Sequence, residues 1–412
     1  MRATGPADPR LVAHLRSRAV REAALQPGRV DPGSLSRLVD GFIDEERRVM
    51  PAAERRAIVQ AVVDETLGFG PLEAILRDPD VTEVMVNGPD AVFVERDGRV
   101  QAAPVRFADS AHLLHVIDRI LSPLGRRVDE ASPMVDARLP DGSRVNAIIP
   151  PLSLQGPVLT VRRFGARALS GVDMVALGTL TDKMVDLLRL AVIARRNILV
   201  IGGTGSGKTT TLAALAAFIP DAERVITIED AAELRIALPH VVRLESRPGS
   251  LEGRGAVPIR ALVRNALRMR PDRIVVGEVR GAEALDMLAA MTTGHEGSLS
   301  TLHASSPADA VRRLQTLALM GDLELPYAAV ADQVAHAIDL IVHQARMADG
   351  ARRVVEITAT HASVDGLTLV PLVRFRPHRW DGDRLAGTFE WEEAASTWVA
   401  RARDDATLAE IA

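Results

Sequence analysis

The feature that most constrains this sequence is a glycine-rich segment that follows a short apolar run. Ile198 to Ile201 contains only Ile, Leu and Val, and it leads into Gly202-Gly203-Thr204-Gly205-Ser206-Gly207-Lys208-Thr209, followed by Thr210. This segment matches the pattern G-x-x-x-x-G-K-[ST] in its required context, with a buried strand before it and a helix after it. Its glycines allow consecutive backbone amides to turn inward and cradle phosphate at the helix N-terminus. The segment therefore predicts a P-loop that binds a nucleoside triphosphate, with Lys208 on the β- and γ-phosphates and the Thr209 hydroxyl on Mg²⁺.

The 412 residues are enough for roughly two to four domains. Helical periodicity with Pro and Gly breaks predicts a helical extension over residues 1–60, and short strands with turns predict a smaller α+β domain over 61–165. A looser stretch, 166–180, is interpreted as a linker. Over 181–360 strands alternate with helices, which predicts a parallel sheet with helices on both faces. The remaining residues, 361–412, contain all three tryptophans and are expected to form an appendage.

Composition excludes several classes of function. The chain has no cysteine, which excludes disulfides, thiolate nucleophiles, iron–sulfur clusters and cysteine zinc sites. A net charge of −4 and an aromatic content of 3% argue against a protein that coats nucleic acid or stacks its bases, so we do not expect nucleic acid as a partner. The N-terminus lacks a continuous apolar h-region and no run of about 18 apolar residues occurs, so we expect a cytoplasmic protein that does not span a membrane.

Acidic residues follow two predicted strands of the alternating region. Glu229 and Asp230 come directly after one apolar strand, and Glu278 comes after another. Because the carboxyl ends of parallel strands meet at one edge of a sheet, these carboxylates can place metal and water there for hydrolysis. We predict that Glu278 orients the attacking water. Gly277 stands where many P-loop enzymes carry the magnesium aspartate, so the metal ligands are predicted to be Thr209, water, and Glu229 or Asp230.

Two histidines bracket a further predicted strand, His295 before it and His303 after it. Their place in the nucleotide domain supports the hypothesis that they sense the γ-phosphate. A zinc site is not expected, because no third ligand accompanies them at a suitable spacing.

Lysine is rare, since all but two of the 50 basic residues are arginine. We interpret this ratio as a coding bias. Lys208 is one of the two exceptions, at a position where a planar guanidinium is a poor substitute for a compact ammonium. The other, Lys183, lies in a predicted helix and has no assigned role.

Four blocks in this order resemble the type II/IV secretion ATPases: the P-loop, Ile228-Glu229-Asp230, Gly277-Glu278-Val279-Arg280, and the histidine segment Gly294 to His303. The finer resemblance is to the branch that powers tight-adherence (Tad or Flp) pili, called CpaF or TadA. It covers about Leu67 to Thr358 and includes the segments Val81 to Pro89, Ser132 to Ala147 and Val263 to Arg273. The residues before 60 and the tail from about Ala362 depart from the family pattern.

The resemblance implies an α/β fold in which a RecA-like P-loop ATPase domain with a parallel sheet follows the helical extension and the smaller α+β domain, which it implies to be PAS-like. It also implies a homo-hexameric ring that hydrolyses ATP with Mg²⁺ at the cytoplasmic face of the inner membrane, with pilus or secretion platform proteins as partners. In such rings arginines neutralise charge on the transferring phosphoryl group. The matching positions here are Arg138, Arg144 and Arg162, and Arg163 is a further candidate.

Three alternatives stay open. The chain could serve a conjugative or effector type IV secretion system with the same chemistry, or it could be a nucleotide-gated scaffold that does not hydrolyse ATP. A DNA translocase is disfavoured by the negative charge and the few aromatic residues.

Overall fold

The structure is a computed structural model that describes residues 9–24, 31–46, 49–96, 98–163, 169–247, 255–321, 325–363 and 366–411. The chain divides into two units, Met1–Ala166 and Arg167–Ala412. No helix of the described ranges is both long and apolar enough to cross a membrane.

Three helices form the first part of unit 1: α1 (Pro9–Ala24), α2 (Pro32–Glu45) and α3 (Ala52–Leu67). Asp31 starts α2 as its N-cap, where its carboxylate accepts hydrogen bonds from the Gly33 and Ser34 amides. Apolar residues at helical spacing face inward and form a separate core, which includes Leu15, Leu35, Val39, Ile43, Ile58 and Val62.

The second part of unit 1 is an antiparallel sheet covered on one face. A 3₁₀ turn (Gly70–Leu72) and α4 (Glu73–Arg77) lead into β1 (Val81–Asn87), β2 (Val92–Arg96) and β3 (Arg99–Ala102), followed by α5 (Ser110–Leu121), a 3₁₀ turn (Ser122–Leu124), β4 (Met134–Arg138), β5 (Arg144–Ile148) and β6 (Val158–Arg162). The strand order is β3-β2-β1-β6-β5-β4. Apolar residues of α5 pack with alternate residues of the strands, among them Leu113, Val116, Val84, Val145 and Val161. The residues between these alternate positions lie on the other face of the sheet.

Unit 2 begins with a helix inside the stretch expected to be a linker. Ser170 and Asp173 form a capping box, in which each side chain accepts a hydrogen bond from the other residue's backbone amide. This pair starts α6 (Gly171–Ala176), whose Met174 is buried. The linker prediction is therefore wrong for 171–176, and residues 164–168 lie outside the described part of the chain.

A nine-stranded sheet forms the body of unit 2, in the order β15-β14-β13-β12-β7-β11-β10-β8-β9. The six strands from β12 to β9 are parallel to one another, as the alternating pattern predicted. In chain order the elements are α7 (Asp182–Ile193), β7 (Ile198–Ile201), α8 (Lys208–Ala216), β8 (Val225–Glu229), β9 (Val241–Glu245), α9 (Ile259–Ala266), β10 (Arg273–Val279), α10 (Glu283–Thr292), β11 (Leu299–Leu302), α11 (Pro307–Leu319), α12 (Tyr327–Ala337), β12 (Leu340–Arg346), β13 (Arg352–Ser363), β14 (Gly366–Asp381), β15 (Arg384–Trp391) and α13 (Glu393–Ile411). Helices cover both faces, with one core on each side of the sheet.

The tail continues this sheet and is not a separate appendage. The boundary expected at residue 360 falls inside β13, which pairs antiparallel with both β12 and β14, and β15 pairs with β14. Apolar residues of β13 such as Val354 and Ile357 are buried in the core of unit 2, which ties the strand to the sheet. The Lys183 ammonium lies 3.9 Å from the centroid of the Trp391 ring, a cation–π contact between α7 and the end of β15.

Candidate functional site

The P-loop connects β7 to α8 in the conformation that its glycines allow. Gly202, Gly205 and Gly207 have positive φ angles of 154°, 69° and 98°. Gly202 admits no side chain, since a Cβ atom there would lie 2.1 Å from the Gln344 carbonyl oxygen. Gly207 is the N-cap of α8, so Lys208 is the first residue of that helix. Thr209 and Thr210 follow it in the first turn and are half-buried.

Lys208 is only 8% exposed, and its ammonium donates a hydrogen bond of 3.0 Å to the Gly203 carbonyl. Burial lowers the pKa of Lys208, while the Glu278 carboxylate opposes this shift and the Arg280 cation adds to it. The Ser206 hydroxyl donates to the same carbonyl at 2.9 Å. The lysine is thus fixed inside the loop by the loop's own backbone.

A chain of contacts runs from Lys208 to Glu278 across three adjacent strands. Lys208 Nζ lies 3.4 Å from His303 Nε2, and His303 Nε2 lies 2.9 Å from Glu278 Oε1. These last two atoms do not meet hydrogen-bond geometry, whereas Glu278 Oε2 accepts a 2.5 Å hydrogen bond from Arg280. The three residues lie at the carboxyl ends of β7, β11 and β10, the edge where an open α/β sheet binds its ligand.

Burial and neighbouring cations both favour the neutral form of His303. Burial is the main cause that lowers the pKa of His303, and the nearby cations Lys208, Arg280 and Arg313 lower it further against the opposing effect of Glu278. A neutral imidazole here can accept a hydrogen bond from Lys208 or donate one to a carboxylate or phosphate oxygen.

Glu229 ends β8 as a buried residue. Its Oε2 accepts hydrogen bonds from the Glu233 and Leu234 amides at 2.7 and 2.9 Å, and its buried Oε1 has no hydrogen-bond partner among the described residues. Burial is the main cause that raises the pKa of this carboxyl group. Its neighbour Asp230 is exposed and accepts a 3.0 Å hydrogen bond from the Ser246 hydroxyl.

The Glu229 side chain explains why Gly277 stands at the usual aspartate position. A Cβ atom at residue 277 would lie 2.8 Å from Glu229 Cγ, so the glycine makes room for the carboxylate of the neighbouring strand. Hydroxyl and carboxylate oxygens such as those of Thr209 and Glu229 are the donors that Mg²⁺ takes together with water and phosphate oxygens. No group of three or more His, Cys, Asp or Glu side chains that could hold a metal ion occurs in the described residues.

His295 does not join this group within the chain. It lies in the turn before β11 and its backbone carbonyl accepts a hydrogen bond from Ser298, whereas His303 follows the other end of the strand. Four residues of strand separate the two ends by roughly 13 Å. Proximity in the sequence suggested a shared role, but the strand between the histidines directs them to opposite edges of the sheet.

Three of the predicted arginines lie in one row of unit 1. Strand register pairs Arg138 with Arg144, Arg144 with Arg162, and Arg162 with Glu83. The row lies on the face of the sheet that α5 does not cover. Adjacent guanidinium groups on one face of a sheet can bind a shared anion such as a phosphate. Arg163 is not part of the row, since its guanidinium donates to the backbone carbonyls of Asp78 and Val81.

Sequence reasoning missed two residues that contact the P-loop, Gln344 of β12 and Arg352 of β13. Thr211 donates a 2.5 Å hydrogen bond to Gln344 Oε1, and Arg352 Nε donates a 3.0 Å hydrogen bond to the Gly205 carbonyl. Their contacts arise because β12 lies beside β7 in the sheet, and the local sequence does not predict this strand order.

A parallel sheet with a P-loop after its central strand and acids at the neighbouring strand ends defines a RecA-like P-loop ATPase fold. The solved structure of the pilus retraction motor PilT with bound ADP has this fold: it aligns with a TM-score of 0.50 and 20% identity over 82% of this chain and 88% of its own. The likeness shows the fold alone.

The family model for type II/IV secretion system proteins matches residues 65–365, and this chain belongs to that family. A putative conjugal transfer protein of Mycobacterium tuberculosis is 40% identical over 307 residues, 73% of this chain and 87% of the relative. The conjugal transfer protein TrbB of Rhizobium radiobacter is 35% identical over 288 residues, 68% of this chain and 84% of the relative. Membership in this family supports an ATPase site at the P-loop.

Proposed function

We propose that this chain is the ATP-hydrolysing subunit of a secretion or pilus motor. The observation that carries the proposal is the contact chain Lys208, His303 and Glu278 at the carboxyl ends of three adjacent strands. A P-loop lysine binds phosphate and a carboxylate positions water, so hydrolysis needs both side chains at one edge of the sheet.

In this proposal, the P-loop amides from Gly202 to Thr210 bind the phosphates, and Lys208 neutralises the β- and γ-phosphates. Thr209 and the unpartnered Glu229 Oε1 are the groups that would hold Mg²⁺, which supplies charge neutralisation when bound. Glu278 orients the attacking water, with its carboxylate held in place by Arg280. Neutral His303 lies between the lysine and this carboxylate, where it contacts the γ-phosphate.

We propose further that the motor is a homo-hexameric ring at the cytoplasmic face of the inner membrane, attached there through platform proteins. Within the assembled ring, the row Arg138, Arg144 and Arg162 supplies positive charge to a nucleotide. The strand register that places the three side chains next to one another on one face supports that role, because adjacent guanidinium groups can bind the same phosphate.

The cargo that we propose is a Tad/Flp pilin, on the strength of the long sequence segments that resemble that branch. A conjugative or effector type IV system is the second candidate, and the names of the relatives as conjugal transfer proteins favour it. Deleting the gene tests the choice: loss of surface pili supports the first candidate, and loss of plasmid transfer or effector secretion with intact pili supports the second.

Phosphate release by the purified full-length chain tests hydrolysis itself. We expect turnover of MgATP that Lys208→Ala abolishes, with the exposed Arg379→Ala as a control of similar chemistry that leaves it unchanged. Tight ATP binding without phosphate release would support a nucleotide-gated scaffold and would overturn the motor proposal.

A further inference from the structure

The hairpin formed by β12, β13 and the turn between them lies against the P-loop, although it follows the family's known motifs in the sequence. The β12–β13 hairpin lies beside three of its glycines: a Cβ atom at Gly202 would meet the Gln344 carbonyl, one at Gly207 would meet the Gln344 amide group, and Arg352 donates a hydrogen bond to the Gly205 carbonyl. None of these contacts uses a side chain of the phosphate-binding pattern. The hairpin therefore helps to fix the loop, in addition to the flanking elements β7 and α8.

Gln344 supplies the rigid part of this support. It is 2% exposed, its Oε1 accepts the 2.5 Å hydrogen bond from Thr211 of α8, and its Nε2 lies 2.9 Å from where a Cβ atom of Gly207 would be. The side chain thus joins β12 to the first turns of the helix that carries Lys208.

Arg352 supplies a directed contact from an exposed position. Its Nε donates to the Gly205 carbonyl at 3.0 Å, and its Cδ lies 3.3 Å from the Cβ position of Gly207, so the side chain lies along the loop. The turn beneath it is held by Asp349, which accepts hydrogen bonds from the Ala351 amide at 3.0 Å and the Leu385 amide of β15 at 2.8 Å. The backbone at Arg352 is therefore held in place by the hydrogen bonds of this turn.

We propose that Arg352 is a positioning residue that sets the nucleotide affinity of the P-loop; this rests on the proposed ATPase function. A phosphate cradle needs backbone amides directed at the ligand and carbonyl oxygens directed away from it, because a carbonyl dipole repels the anion. While the Gly205 carbonyl accepts the Arg352 bond, it cannot turn toward a bound phosphate. Arg352 acts on the loop conformation and does not touch the reacting atoms.

The size of the effect follows from the fraction of molecules with a competent loop. Apparent affinity falls in proportion to that fraction. A hydrogen bond from a charged donor at an exposed site shifts the equilibrium between loop conformations that can and cannot bind nucleotide by about fivefold. We expect Arg352→Ala to raise the Kd for MgATP by about fivefold. The turnover number at saturating ATP should change by less than about twofold, because the loop is competent once nucleotide is bound.

The experiment titrates a fluorescent ATP analogue with Mg²⁺ into the full-length chain and its variants, and measures kcat and KM alongside. Arg352→Lys should recover part of the affinity, since an ammonium can donate to the same carbonyl without the fixed planar geometry. Arg376→Ala is the matched control, because Arg376 is exposed on β14 and donates a 2.8 Å hydrogen bond to Glu390 of the neighbouring strand β15. Melting temperatures without nucleotide should agree between wild type, Arg352→Ala and Arg376→Ala.

The proposal is overturned if Arg352→Ala binds MgATP as the wild type does, if Arg376→Ala weakens binding equally, or if kcat falls while Kd is unchanged. These results differ from a failure of the motor proposal. A wild-type chain that binds ATP but releases no phosphate refutes hydrolysis and leaves the affinity comparison valid. A wild-type chain that binds no nucleotide refutes both.

Discussion

Replacing Glu278 by Gln tests the central role assignment, because it removes the charge of the side chain and keeps its shape. A carboxylate that positions or deprotonates a nucleophile contributes about 10²- to 10⁴-fold to a rate, which corresponds to about 3 to 5 kcal/mol of barrier. We expect phosphate release to fall by that factor at saturating MgATP. ATP binding should persist, since Lys208 and the P-loop amides are unchanged.

The stability cost of the same substitution is small. Arg280, which holds Glu278, is 61% exposed, and an ion pair with a partner so exposed contributes about 0 to 1 kcal/mol to folding. The Gln variant also leaves the hydrogen bond from the Lys208 ammonium to the Gly203 carbonyl in place. A large loss of turnover with an unchanged melting temperature is therefore a loss of chemistry.

The assays are steady-state phosphate release and equilibrium binding of a fluorescent ATP analogue, on Glu278→Gln and Glu278→Ala. Glu390→Gln is the matched control, because this exposed carboxylate on β15 pairs with Arg376 and lies outside the P-loop contacts. ATPase activity near that of the wild type in either Glu278 variant would refute the role of this carboxylate. Loss of binding together with turnover would refute the separation of binding from hydrolysis.

Three further predictions concern the surroundings of the site. Gly277→Ala should lower the free energy of unfolding by about 1 to 3 kcal/mol and reduce turnover, because its Cβ atom displaces the Glu229 side chain; chemical denaturation and phosphate release measure both, and wild-type behaviour would contradict the close approach. Lys183→Arg should keep stability and ATPase activity, because a guanidinium also binds an aromatic face, whereas Lys208→Arg should lose nucleotide binding; titration with ATP separates the two, and binding by the second variant would refute the steric argument. Burial is the main cause that lowers the pKa of His343 against the opposing effect of Glu356, so the folded chain protonates this imidazole at a lower pH than the unfolded chain, which does so near pH 6.5. The stabilisation that a neutral His343 allows is present above pH 6.5 and is lost as the pH falls below it. The melting temperature of His343→Gln should therefore fall less steeply than that of the wild type between pH 7 and pH 5. Parallel profiles of melting temperature against pH would exclude this residue as the cause.

Local patterns predicted the parts of the site that depend on one or two neighbouring elements. The P-loop follows from eight consecutive residues, and Glu278 and His303 follow from the rule that parallel strands end at one edge of a sheet. The structure brings these two residues within 2.9 Å of each other, which the sequence pattern alone could not measure. The parallel core was predictable for the same reason, since regular alternation of strand and helix admits few other arrangements.

Contacts that depend on strand order were not predictable in this way. Gln344 and Arg352 reach the P-loop only because β12 lies directly beside β7, although more than 130 residues separate Thr211 from Gln344 in sequence. The antiparallel tail was missed as part of the sheet for a related reason. An edge strand such as β15 alternates apolar and polar residues weakly, so its period does not distinguish a sheet strand from a separate appendage.

The two lysines of this arginine-rich chain differ in whether their surroundings require lysine. Lys183 lies over the Trp391 ring at 3.9 Å, a contact that arginine makes at least as often, so chemistry does not require lysine there. Lys208 is 8% exposed, and its ammonium lies between the Gly203 carbonyl at 3.0 Å and His303 at 3.4 Å. A guanidinium is wider and planar, and its five donors cannot all be satisfied in that space, so arginine would leave buried donors unpaired or push the loop open. The packing around the P-loop therefore supplies a physical reason for lysine at position 208, in a chain in which all basic residues but two are arginine. The contact of Lys183 with the Trp391 ring supplies no such reason for lysine at position 183.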